Sequence, residues 1–516
     1  MRSYSFISLV GIGALAQTTA AKPVGSCNDI TPPVVPGAII RSVKSRVYRD
    51  HLVPALPPTL LQNVTHLNIC EVNVTLSHWN EDDTVLVQRW LPLNNWNSRY
   101  LAVGGGAWAA GLSQFDLALP ASQGYAVSST NAGLSGNPID PSGWALKPDG
   151  TVNYGLLQNF ASRSVHDMAV VGKAVIASFY KVPATKAYFN GGSTGGRQGL
   201  AAAQQYPSDF DGILAGAPAI YWSEYVIAEL WSQVVMKDAK YYPSIREVDD
   251  LYQQPWNQPF TCEYDPFTLA GQKIECGNES TVISQITASI VSKIWRGPLG
   301  SRGNALWYGM SKGASLAVLA ATKTVNGTIT GAPFFVADTW VCNFVKANPG
   351  FDTSQLNIAG FEKLFSESRD RFGHIMDSSD PNLHAFKKAG GKMIIWHGLS
   401  DQLIYPQDSI QYFKEVQKKL KSKGKGEDLD NVLSLFLAPG VDHCGFGQSA
   451  GAVPIDPSGA LPAWVENEKP PHTLDDHTKP DALTQFSRKI CRYPEVAKYK
   501  GRGDADDSKN YVCVIP

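Results

Sequence analysis

The chain has 516 residues, of which 43% are hydrophobic and 18% are charged, and its formal net charge is −1. This composition is typical of a globular protein with a large core, and the length alone predicts two or three domains. A chain so close to neutrality lacks the excess of basic residues with which proteins bind nucleic acid or anionic membranes. We therefore expect neither as a partner.

The first 20 residues are predicted to be a secretory signal peptide. Small residues at 14–16 and at 18–20 give two candidate cleavage sites, and we predict cleavage after Ala20. Arg2 supplies the positive charge, residues 6–16 form a short apolar segment, and small residues follow it. The segment is too short to span a bilayer, and no other apolar run has spanning length. We therefore expect an extracellular protein and exclude residues 1–20 from the fold prediction.

Secretion makes both disulfides and N-linked glycans possible. Of the eight cysteines, six are predicted from their proximity along the chain to form the pairs Cys27–Cys70, Cys262–Cys276 and Cys491–Cys513. Four Asn-X-Ser/Thr sequons are the expected glycosylation sites. They begin at Asn63, Asn73, Asn278 and Asn326.

Strands and helices alternate up to residue 216, after a Pro-rich and partly extended segment at residues 22–60. A helix is predicted at residues 163–180, where apolar side chains recur at helical spacing. Strand-type runs are predicted at residues 71–75, 84–91, 100–103, 125–129, 187–189 and 212–216. This alternation is typical of a mostly parallel α/β sheet.

The alternation stops near residue 217 and resumes at residue 392. Residues 217–387 are rich in Trp, Pro and Gly and show no clear strand alternation. A strand, a helix and a last strand then follow at residues 392–397, 409–421 and 432–437. We therefore predict a catalytic α/β domain formed by residues 21–216 and 388–516, with residues 217–387 inserted as a lid over the site.

Ser193 lies at the centre of a G-x-S-x-G pattern, the signature of a nucleophile elbow. The pattern falls between a predicted strand and a predicted helix, where a sharp turn leaves no room for Cβ atoms. Such a turn exposes the serine hydroxyl at a helix N-terminus, which stabilises developing negative charge. The alternative is a purely structural Gly- and Ser-rich turn, but the strand–turn–helix context favours a catalytic serine.

A serine nucleophile requires a histidine base, which follows it in the chain order Ser, acid, His in α/β-hydrolases. His443 lies in a short loop after the predicted strand at residues 432–437. This places it at the carboxyl edge of the sheet, where catalytic loops collect. His472 and His477 also lie downstream, but their Pro-rich polar segment indicates surface residues.

The base requires a carboxylate that fixes its tautomer. Asp401 follows the predicted strand at residues 392–397 through a short turn and therefore reaches the same edge of the sheet. Its alternative role is to cap that turn. Asp442 adjoins His443, so we expect its side chain to point elsewhere, and His397 is interpreted as structural.

An oxyanion hole requires two backbone N–H groups that point to one position. Thr194 supplies the first, because it directly follows Ser193. The second is expected from the Gly-rich loop at residues 104–106, and we assign it to Gly105. These glycines are accompanied by neither a phosphate-binding nor a dinucleotide fingerprint, so no cofactor is predicted.

Taken together, these motifs resemble the tannase and feruloyl esterase family of secreted fungal serine esterases. The matching segments cover nearly the whole mature chain and lie at residues 90–92, 96–97, 103–106, 192–198, 206–207, 210–212, 216–219, 396–401, 442–444 and 463–466. The resemblance implies an α/β-hydrolase core with a large inserted lid, and a triad of Ser193, His443 and Asp401. It also implies hydrolysis of small-molecule or polysaccharide-linked phenolic esters, such as feruloyl, p-coumaroyl or galloyl esters.

Lid aromatic residues are expected to hold the ring of the phenolic acid. Aromatic faces suit such a ring, and the candidates are Trp222, Phe334 and Trp340.

Two positions depart from the pattern of the family. The family usually carries a cysteine directly before the serine, bonded to the cysteine directly after the histidine, but here Gly192 stands opposite Cys444. Cys444 is then either a free buried thiol or a partner of Cys342. The stretch that corresponds to the family's calcium loop, residues 244–250, lacks the alternating Asp and Gly pattern, so we expect a degraded site or none, and no metal.

Three alternatives to a feruloyl esterase stay open. The first is another esterase, either a tannase that acts on galloyl esters or an esterase for a different aryl ester. The second is an inactive α/β-hydrolase that only binds cell-wall material, which the missing disulfide motivates although all three triad residue types are present. The third is an adhesion role for residues 502–504 (Arg-Gly-Asp), which is a weak signal because the tripeptide is common by chance.

Overall fold

The computed structural model describes residues 25–516 apart from 58, 135–137, 246, 249–261, 277–278, 422–428, 448–449, 456, 480–481 and 483. The predicted signal peptide, the sequon at Asn278 and part of the calcium-loop stretch lie outside the described residues. None of the helices in the described part of the chain has the length and hydropathy to cross a membrane.

Residues 38–216 form the first seven strands and the helices that cover them. The strands are β1 (Ala38–Val53), β2 (Val64–His78), β3 (Val85–Pro92), β4 (Arg99–Val103), β5 (Ala126–Thr130), β6 (Lys186–Gly192) and β7 (Gly212–Gly216). The helices are α1 (Gln114–Ser122), α2 (Ser142–Ala145), α3 (Tyr154–Gln158), α4 (Ser164–Tyr180) and α5 (Thr194–Gln205), with a π-helical turn at Asn159–Arg163. The predicted alternation of strands and helices is therefore found from β4 onward, whereas β1 to β4 follow one another without an intervening helix.

The chain that follows β7 folds outside the main sheet. Its helices are α6 (Trp222–Ala228), α7 (Trp231–Asp238), α8 (Gln285–Arg296), α9 (Phe335–Trp340), α10 (Ile358–Met376) and α11 (His384–Lys388). Two short hairpins accompany them, β8 (Lys273–Cys276) with β9 (Glu279–Val282) and β10 (Thr322–Val325) with β11 (Thr328–Gly331). The sequence did not predict these hairpins, because strands of four residues carry little alternation.

The last part of the chain returns to the main sheet. It contains β12 (Lys392–Gly398), α12 (Pro406–Lys421), β13 (Leu433–Ala438) and α13 (Pro457–Asn467). Beyond the main sheet lie a small sheet of β14 (Val453–Pro454), β15 (Thr473–His477) and β16 (Lys489–Cys491), and a hairpin of β17 (Val496–Tyr499) and β18 (Tyr511–Val514).

The main sheet has nine strands in the order β1-β2-β3-β5-β4-β6-β7-β12-β13. The pairs among β1, β2, β3 and β5 are antiparallel, whereas all pairs from β5 to β13 are parallel. Strands β7 and β12 are neighbours, with Met393 opposite Ile213, although the whole region 217–391 separates them. The carboxyl ends of β6, β7, β12 and β13 therefore meet at one edge, as predicted for the site.

Both faces of the parallel strands are covered, which explains their continuous apolar runs. On one face, Phe189 and Ile395 pack with residues of α4 such as Met168 and Val171. On the other face, Leu214 and Ile394 pack with Trp464 and other residues of α13.

The region between β7 and β12 has a core of its own. Trp222, Trp340 and Phe361 lie in this core, which also includes Trp108 and Phe160 from the first part of the chain. The inserted region therefore packs directly onto the loop that follows β4 and onto the π-helical turn.

Two of the three predicted disulfides are confirmed, Cys27–Cys70 and Cys491–Cys513. The predicted Cys262–Cys276 bridge is wrong, because Cys262 is a free thiol whose Sγ accepts a hydrogen bond from Tyr264 N at 3.3 Å. The side chain of Cys276 lies outside the described residues.

Cys342 and Cys444 are also free, so the pairing considered between them does not form. The buried Cys342 thiol instead donates to the backbone oxygen of Phe351 at 3.1 Å. Of the two interpretations of Cys444, the free thiol is therefore the correct one, and this thiol is half-buried.

The described sequons differ in accessibility. Asn63 and Asn326 are exposed, whereas Asn73 lies in β2 with its side-chain amide donating to Glu71 at 3.1 Å. An acceptor amide must reach the glycosylating enzyme, so Asn63 and Asn326 are the accessible positions of these three. Glycosylation itself stays a prediction.

Candidate active site

Ser193 occupies a strained turn between β6 and α5. Its backbone angles are φ 58° and ψ −121°, and its N–H donates to Gly216 O at 2.8 Å. A Cβ on Gly191 would lie 2.6 Å from the backbone of Gly195, and one on Gly195 would lie 2.8 Å from Gly105 O. Only glycine fits at these two positions, which is the steric origin of the G-x-S-x-G pattern.

His443 and Asp401 are brought together from two different loops at the sheet edge. His443 begins a short 3₁₀ turn after β13, and its Nδ1 donates to Asp401 Oδ2 at 2.8 Å. The backbone N–H of His443 donates to Gln402 Oε1 at 3.0 Å, which ties the two loops together. Because Nδ1 holds the proton, Nε2 is left as the acceptor, as a general base requires.

The acid is enclosed by donors. Its other oxygen, Oδ1, accepts hydrogen bonds from the N–H groups of Leu403 and Ile404, each at 2.9 Å. Asp401 has no exposed surface, and His443 retains only 8% exposure. The predicted turn-capping role is therefore real, but the same carboxylate also binds the base.

The charges of the pair oppose the effect of burial. Burial acts to raise the pKa of Asp401, but the charge of His443 and the hydrogen bonds from His397 and His443 outweigh it and hold this pKa well below its usual range. Burial acts to lower the pKa of His443, but chiefly the charge of Asp401 raises it above the ordinary value. The site therefore stabilises the imidazolium that forms when His443 accepts a proton.

The thiol of Cys444 links the base to the elbow. Its Sγ lies 3.9 Å from His443 Nε2 and 3.8 Å from Gly216 O, the same carbonyl oxygen that accepts the N–H of Ser193. It also lies 2.9 Å from the position that a Cβ on Gly192 would occupy. These contacts link the His443 loop to the backbone carbonyl that also binds the half-buried Ser193.

The assignment of Gly105 to the oxyanion hole is wrong. Its N–H is already used, because it donates to Gln198 Oε1 at 3.1 Å, and the N–H of Gly104 donates to Asn190 O at 3.0 Å. Gly106 is exposed, and no hydrogen bond to another described residue engages its N–H. Gly106 therefore replaces Gly105 as the candidate donor.

Thr194 is the candidate for the other donor, and this role stays a prediction. It is the first residue of α5, so its N–H has no acceptor within the helix. Its hydroxyl donates to Ala107 O at 2.7 Å, which fixes the elbow against the glycine loop. The two candidate donors therefore belong to segments that are held together.

Two of the three predicted ring-binding residues are wrong. Trp222 and Trp340 are 1% and 0% exposed. Their ring centroids lie 5.9 Å apart in the core of the inserted region. The indole N–H of Trp340 donates to Ser368 Oγ at 2.9 Å. Both rings are committed to packing and have no surface left for a ligand.

Phe334 is still a candidate for substrate contact. It is half-buried, directly precedes α9, and packs against Phe335 with ring centroids 4.8 Å apart. Its partial exposure leaves part of the ring free for a ligand.

Three buried titratable groups near Asp401 are not among the predicted site residues. His397, which the sequence predicts to be structural, has its Nε2 3.1 Å from Asp401 Oδ2. Glu229 and Asp408 are 2% and 0% exposed, and a negative charge on either carboxyl would be repelled by that of Asp401. The sequence carries one signal for a role of His397 at the site, its position four residues before Asp401 within the same motif.

The described residues contain one group with ligand atoms close enough for a metal, His472, Glu495 and Cys513. Cys513 is bonded to Cys491, so its sulfur is not a thiolate and this group does not suit a metal. In the described part of the calcium-loop stretch, Glu247 accepts hydrogen bonds from Ser244 and Thr287. The expectation about calcium stays a prediction.

Comparisons with known proteins agree with these motifs. The family model described as tannase and feruloyl esterase matches residues 70–258 and 256–514. A probable feruloyl esterase of Arthroderma benhamiae is 44% identical over 527 residues, covering 99% of this chain and 97% of that protein. A probable feruloyl esterase B-2 of Aspergillus oryzae is 28% identical, covering 87% and 86%.

Solved structures show the same fold. The tannin acyl hydrolase from Aspergillus niger superposes with a TM-score of 0.82 at 24% identity, covering 95% of this chain and 94% of that chain. Feruloyl esterase B from Aspergillus oryzae superposes with a TM-score of 0.76 at 23% identity, covering 93% and 97%. The predicted α/β-hydrolase fold is thereby confirmed.

Proposed function

This chain belongs to the tannase and feruloyl esterase family, and we propose that it hydrolyses hydroxycinnamoyl esters through an acyl-enzyme on Ser193. The observation that carries the proposal is the 2.8 Å hydrogen bond from His443 Nδ1 to the buried Asp401, at the sheet edge that also bears the strained turn of Ser193. Along the chain the nucleophile comes first, then the acid and then the base, which is the order found in α/β-hydrolases.

The reaction proceeds in two steps. His443 Nε2 takes the proton of the Ser193 hydroxyl as Oγ attacks the ester carbonyl carbon, and Asp401 stabilises the imidazolium. The tetrahedral intermediate then expels the alcohol, which receives its proton from His443. Water next attacks the acyl-enzyme and gives a proton to His443, and Ser193 leaves with that proton as the phenolic acid is released.

The oxyanion of both tetrahedral intermediates is held by backbone donors. We assign this role to the N–H groups of Thr194 and Gly106, because neither has an acceptor among the described residues. The N-terminus of α5 adds a favourable dipole at the same place. Loss of one such donor typically costs about 10²–10³ in kcat.

The similarity favours a hydroxycinnamoyl substrate over a galloyl substrate. The relative that is 44% identical over nearly the whole chain is named as a probable feruloyl esterase. The tannin acyl hydrolase is 24% identical and supports only the fold. We propose that the substrate is a small-molecule or polysaccharide-linked phenolic ester.

The test compares wild type with Ser193→Ala on methyl ferulate, methyl p-coumarate and methyl gallate. We expect wild type to prefer the first two esters and Ser193→Ala to lose turnover with an unchanged unfolding midpoint. A serine-reactive phosphonate should label wild type only. Unchanged turnover in Ser193→Ala would refute the mechanism, preference for methyl gallate would favour the tannase alternative, and absence of both turnover and labelling in wild type would favour the inactive scaffold.

We also propose that the enzyme acts outside the cell. The predicted signal peptide and the two disulfides support this location, because disulfides persist in oxidising compartments. Protein recovered from the culture medium of a fungal host is expected to begin at Ala21. Recovery from the cells alone, with residues 1–20 still attached, would contradict secretion.

A further inference from the structure

Three carboxyl groups lie buried near the base, and only one of them is stabilised as an anion. Asp401, Asp408 and Glu229 are each at most 2% exposed. Within the described part of the chain, both carboxyl oxygens of Asp408 lack a hydrogen-bond partner, and so does Oε2 of Glu229. Burial raises the pKa of both groups well above the ordinary value, whereas the pKa of Asp401 is lowered. Because the three carboxyl groups are equally buried, the opposite shifts arise from the charge of His443 and from the donors around each carboxyl.

Asp401 differs from its two neighbours in the number of its donors. The N–H groups of Leu403 and Ile404 bind Oδ1, while His443 Nδ1 and His397 Nε2 bind Oδ2 at 2.8 Å and 3.1 Å. Two imidazoles therefore share one carboxylate oxygen. His443 is the base, so the second imidazole has no place in the triad itself.

The surroundings of His397 fix where its proton lies. The residue lies in β12 and has no exposed surface. Its Nε2 lies between two acceptors, Asp401 Oδ2 and Ile404 O at 3.0 Å, so Nε2 carries the proton. Its Nδ1 lies 2.8 Å from the hydroxyl of the fully buried Ser409, which donates to it. The ring is thereby held as a donor aimed at Asp401.

We propose that His397 is a positioning residue that keeps Asp401 ionised and directed at His443. The proposal rests on the proposed function, because it concerns the acid of the same triad. His397 competes with His443 for Oδ2 and withdraws part of the negative charge of the carboxylate. It thus limits how strongly Asp401 holds the proton of the imidazolium.

The titratable groups that face this carboxylate come from four segments. They are His397 on β12, His443 after β13, Tyr225 and Glu229 at α6, and Tyr405 and Asp408 at the start of α12. Burial raises the pKa of Glu229, Asp408 and both tyrosines, which favours the neutral form of each group. The two histidines are the only members of this group that bind Asp401 directly.

The test is the pH profile of kcat/KM on methyl ferulate. Replacing His397 by Leu removes one donor from Oδ2, which makes the carboxylate more basic and raises the pKa of His443. The acidic limb of the profile is expected to move upward by about one pH unit, the size of one hydrogen bond to a charged group. Where the pH lies below the pKa of His443 in both proteins, this shift corresponds to a loss of about ten-fold in kcat/KM.

Matched variants separate positioning from mere packing. His397→Gln retains an N–H near the position of Nε2 and is expected to return the limb to within a few tenths of a pH unit of wild type. Asp408→Asn changes a buried carboxyl that forms no hydrogen bond with Asp401 or His443, and it is expected to move the acidic limb by less than His397→Leu does. Ser409→Ala removes the hydroxyl that fixes the tautomer of His397, so the acidic limb of the pH profile is expected to move upward by a smaller amount. This variant keeps the test available if His397→Leu does not fold.

A second readout does not depend on turnover. Titration of the downfield proton resonance of His443 Nδ1 reports the same pKa without substrate. It therefore distinguishes failure of this inference from failure of the proposed function. Equal His443 titration in wild type, His397→Leu and Ser409→Ala would overturn the inference, even if kcat falls in the variants.

Discussion

A cysteine at position 192 is expected to form a disulfide with Cys444. An ideal Cβ on Gly192 lies 3.8 Å from Cys444 Cβ and 2.9 Å from its Sγ. Cβ atoms joined by a disulfide lie about 3.5–4.5 Å apart, with a mean of about 3.8 Å. Cys444 is free, so its sulfur is available for the bond. The backbone of this chain therefore already has the spacing of the crosslink that the resemblance implies.

The stabilisation follows from the length of the loop that the bond would close. The loop between residues 192 and 444 contains about 250 residues, for which the chain-entropy model gives about 5 kcal/mol at 25 °C. Engineered disulfides usually deliver less, so we expect the free energy of unfolding to rise by about 2–4 kcal/mol. Because the bond acts mainly on the unfolded chain, the gain should vanish under reduction.

Thiol titration and unfolding test this prediction together. Gly192→Cys should show one titratable thiol fewer than wild type in denaturant, because the new cysteine and Cys444 are both consumed. Its unfolding midpoint should exceed that of wild type without reductant and approach it with reductant. The control Gly192→Cys/Cys444→Ser should show no reductant-dependent gain. One thiol more than wild type, with no change in the midpoint, would refute the reasoning.

Two further predictions concern other parts of the molecule. Phe334→Ala is expected to raise KM for methyl ferulate about ten-fold with little effect on the unfolding midpoint, and an unchanged KM would remove that ring from the site. Trp340→Ala should instead lower the free energy of unfolding by about 3–5 kcal/mol, because its ring belongs to the core. Burial lowers the pKa of His78, but its hydrogen bonds to Asp167 and Asp83 raise it to about 9 from 6.5. The stability that His78 contributes is therefore complete below pH 6.5 and lost as the pH rises through 9. Between these pH values the unfolding midpoint of a His78→Leu variant should fall less than that of wild type. An equal fall in both proteins would contradict the assignment.

The parts of the site that the sequence predicts are those fixed by local sterics or by sheet topology. The turn at Ser193 is encoded by neighbouring glycines, since no Cβ fits at Gly191 or Gly195. Asp401 and His443 each follow a parallel strand, and the carboxyl ends of adjacent parallel strands meet at one edge. Both signals lie within a few residues of the functional side chain, so they can be read without knowledge of distant contacts.

The wrong assignments concern choices that distant contacts decide. Gln198 of α5 decides which glycine of the loop at residues 104–106 has a free N–H, because its side-chain oxygen accepts the N–H of Gly105. Trp222 and Phe334 are both aromatic residues of the predicted lid, and only the packing of this region separates a core ring from an accessible one. Composition and spacing carry no information about either contact.

The absence of the family's crosslink does not leave the base unsupported. Besides its bond to Asp401, the His443 loop is held by a hydrogen bond from its own N–H to Gln402 and by the contact of Cys444 Sγ with Gly216 O. These contacts exist only in the folded state, whereas a disulfide acts mainly by restricting the unfolded chain. Restoring the crosslink should therefore change the free energy of unfolding far more than kcat. A large gain in kcat on oxidation of Gly192→Cys would instead show that the loop is mobile and that these contacts do not hold the base in place.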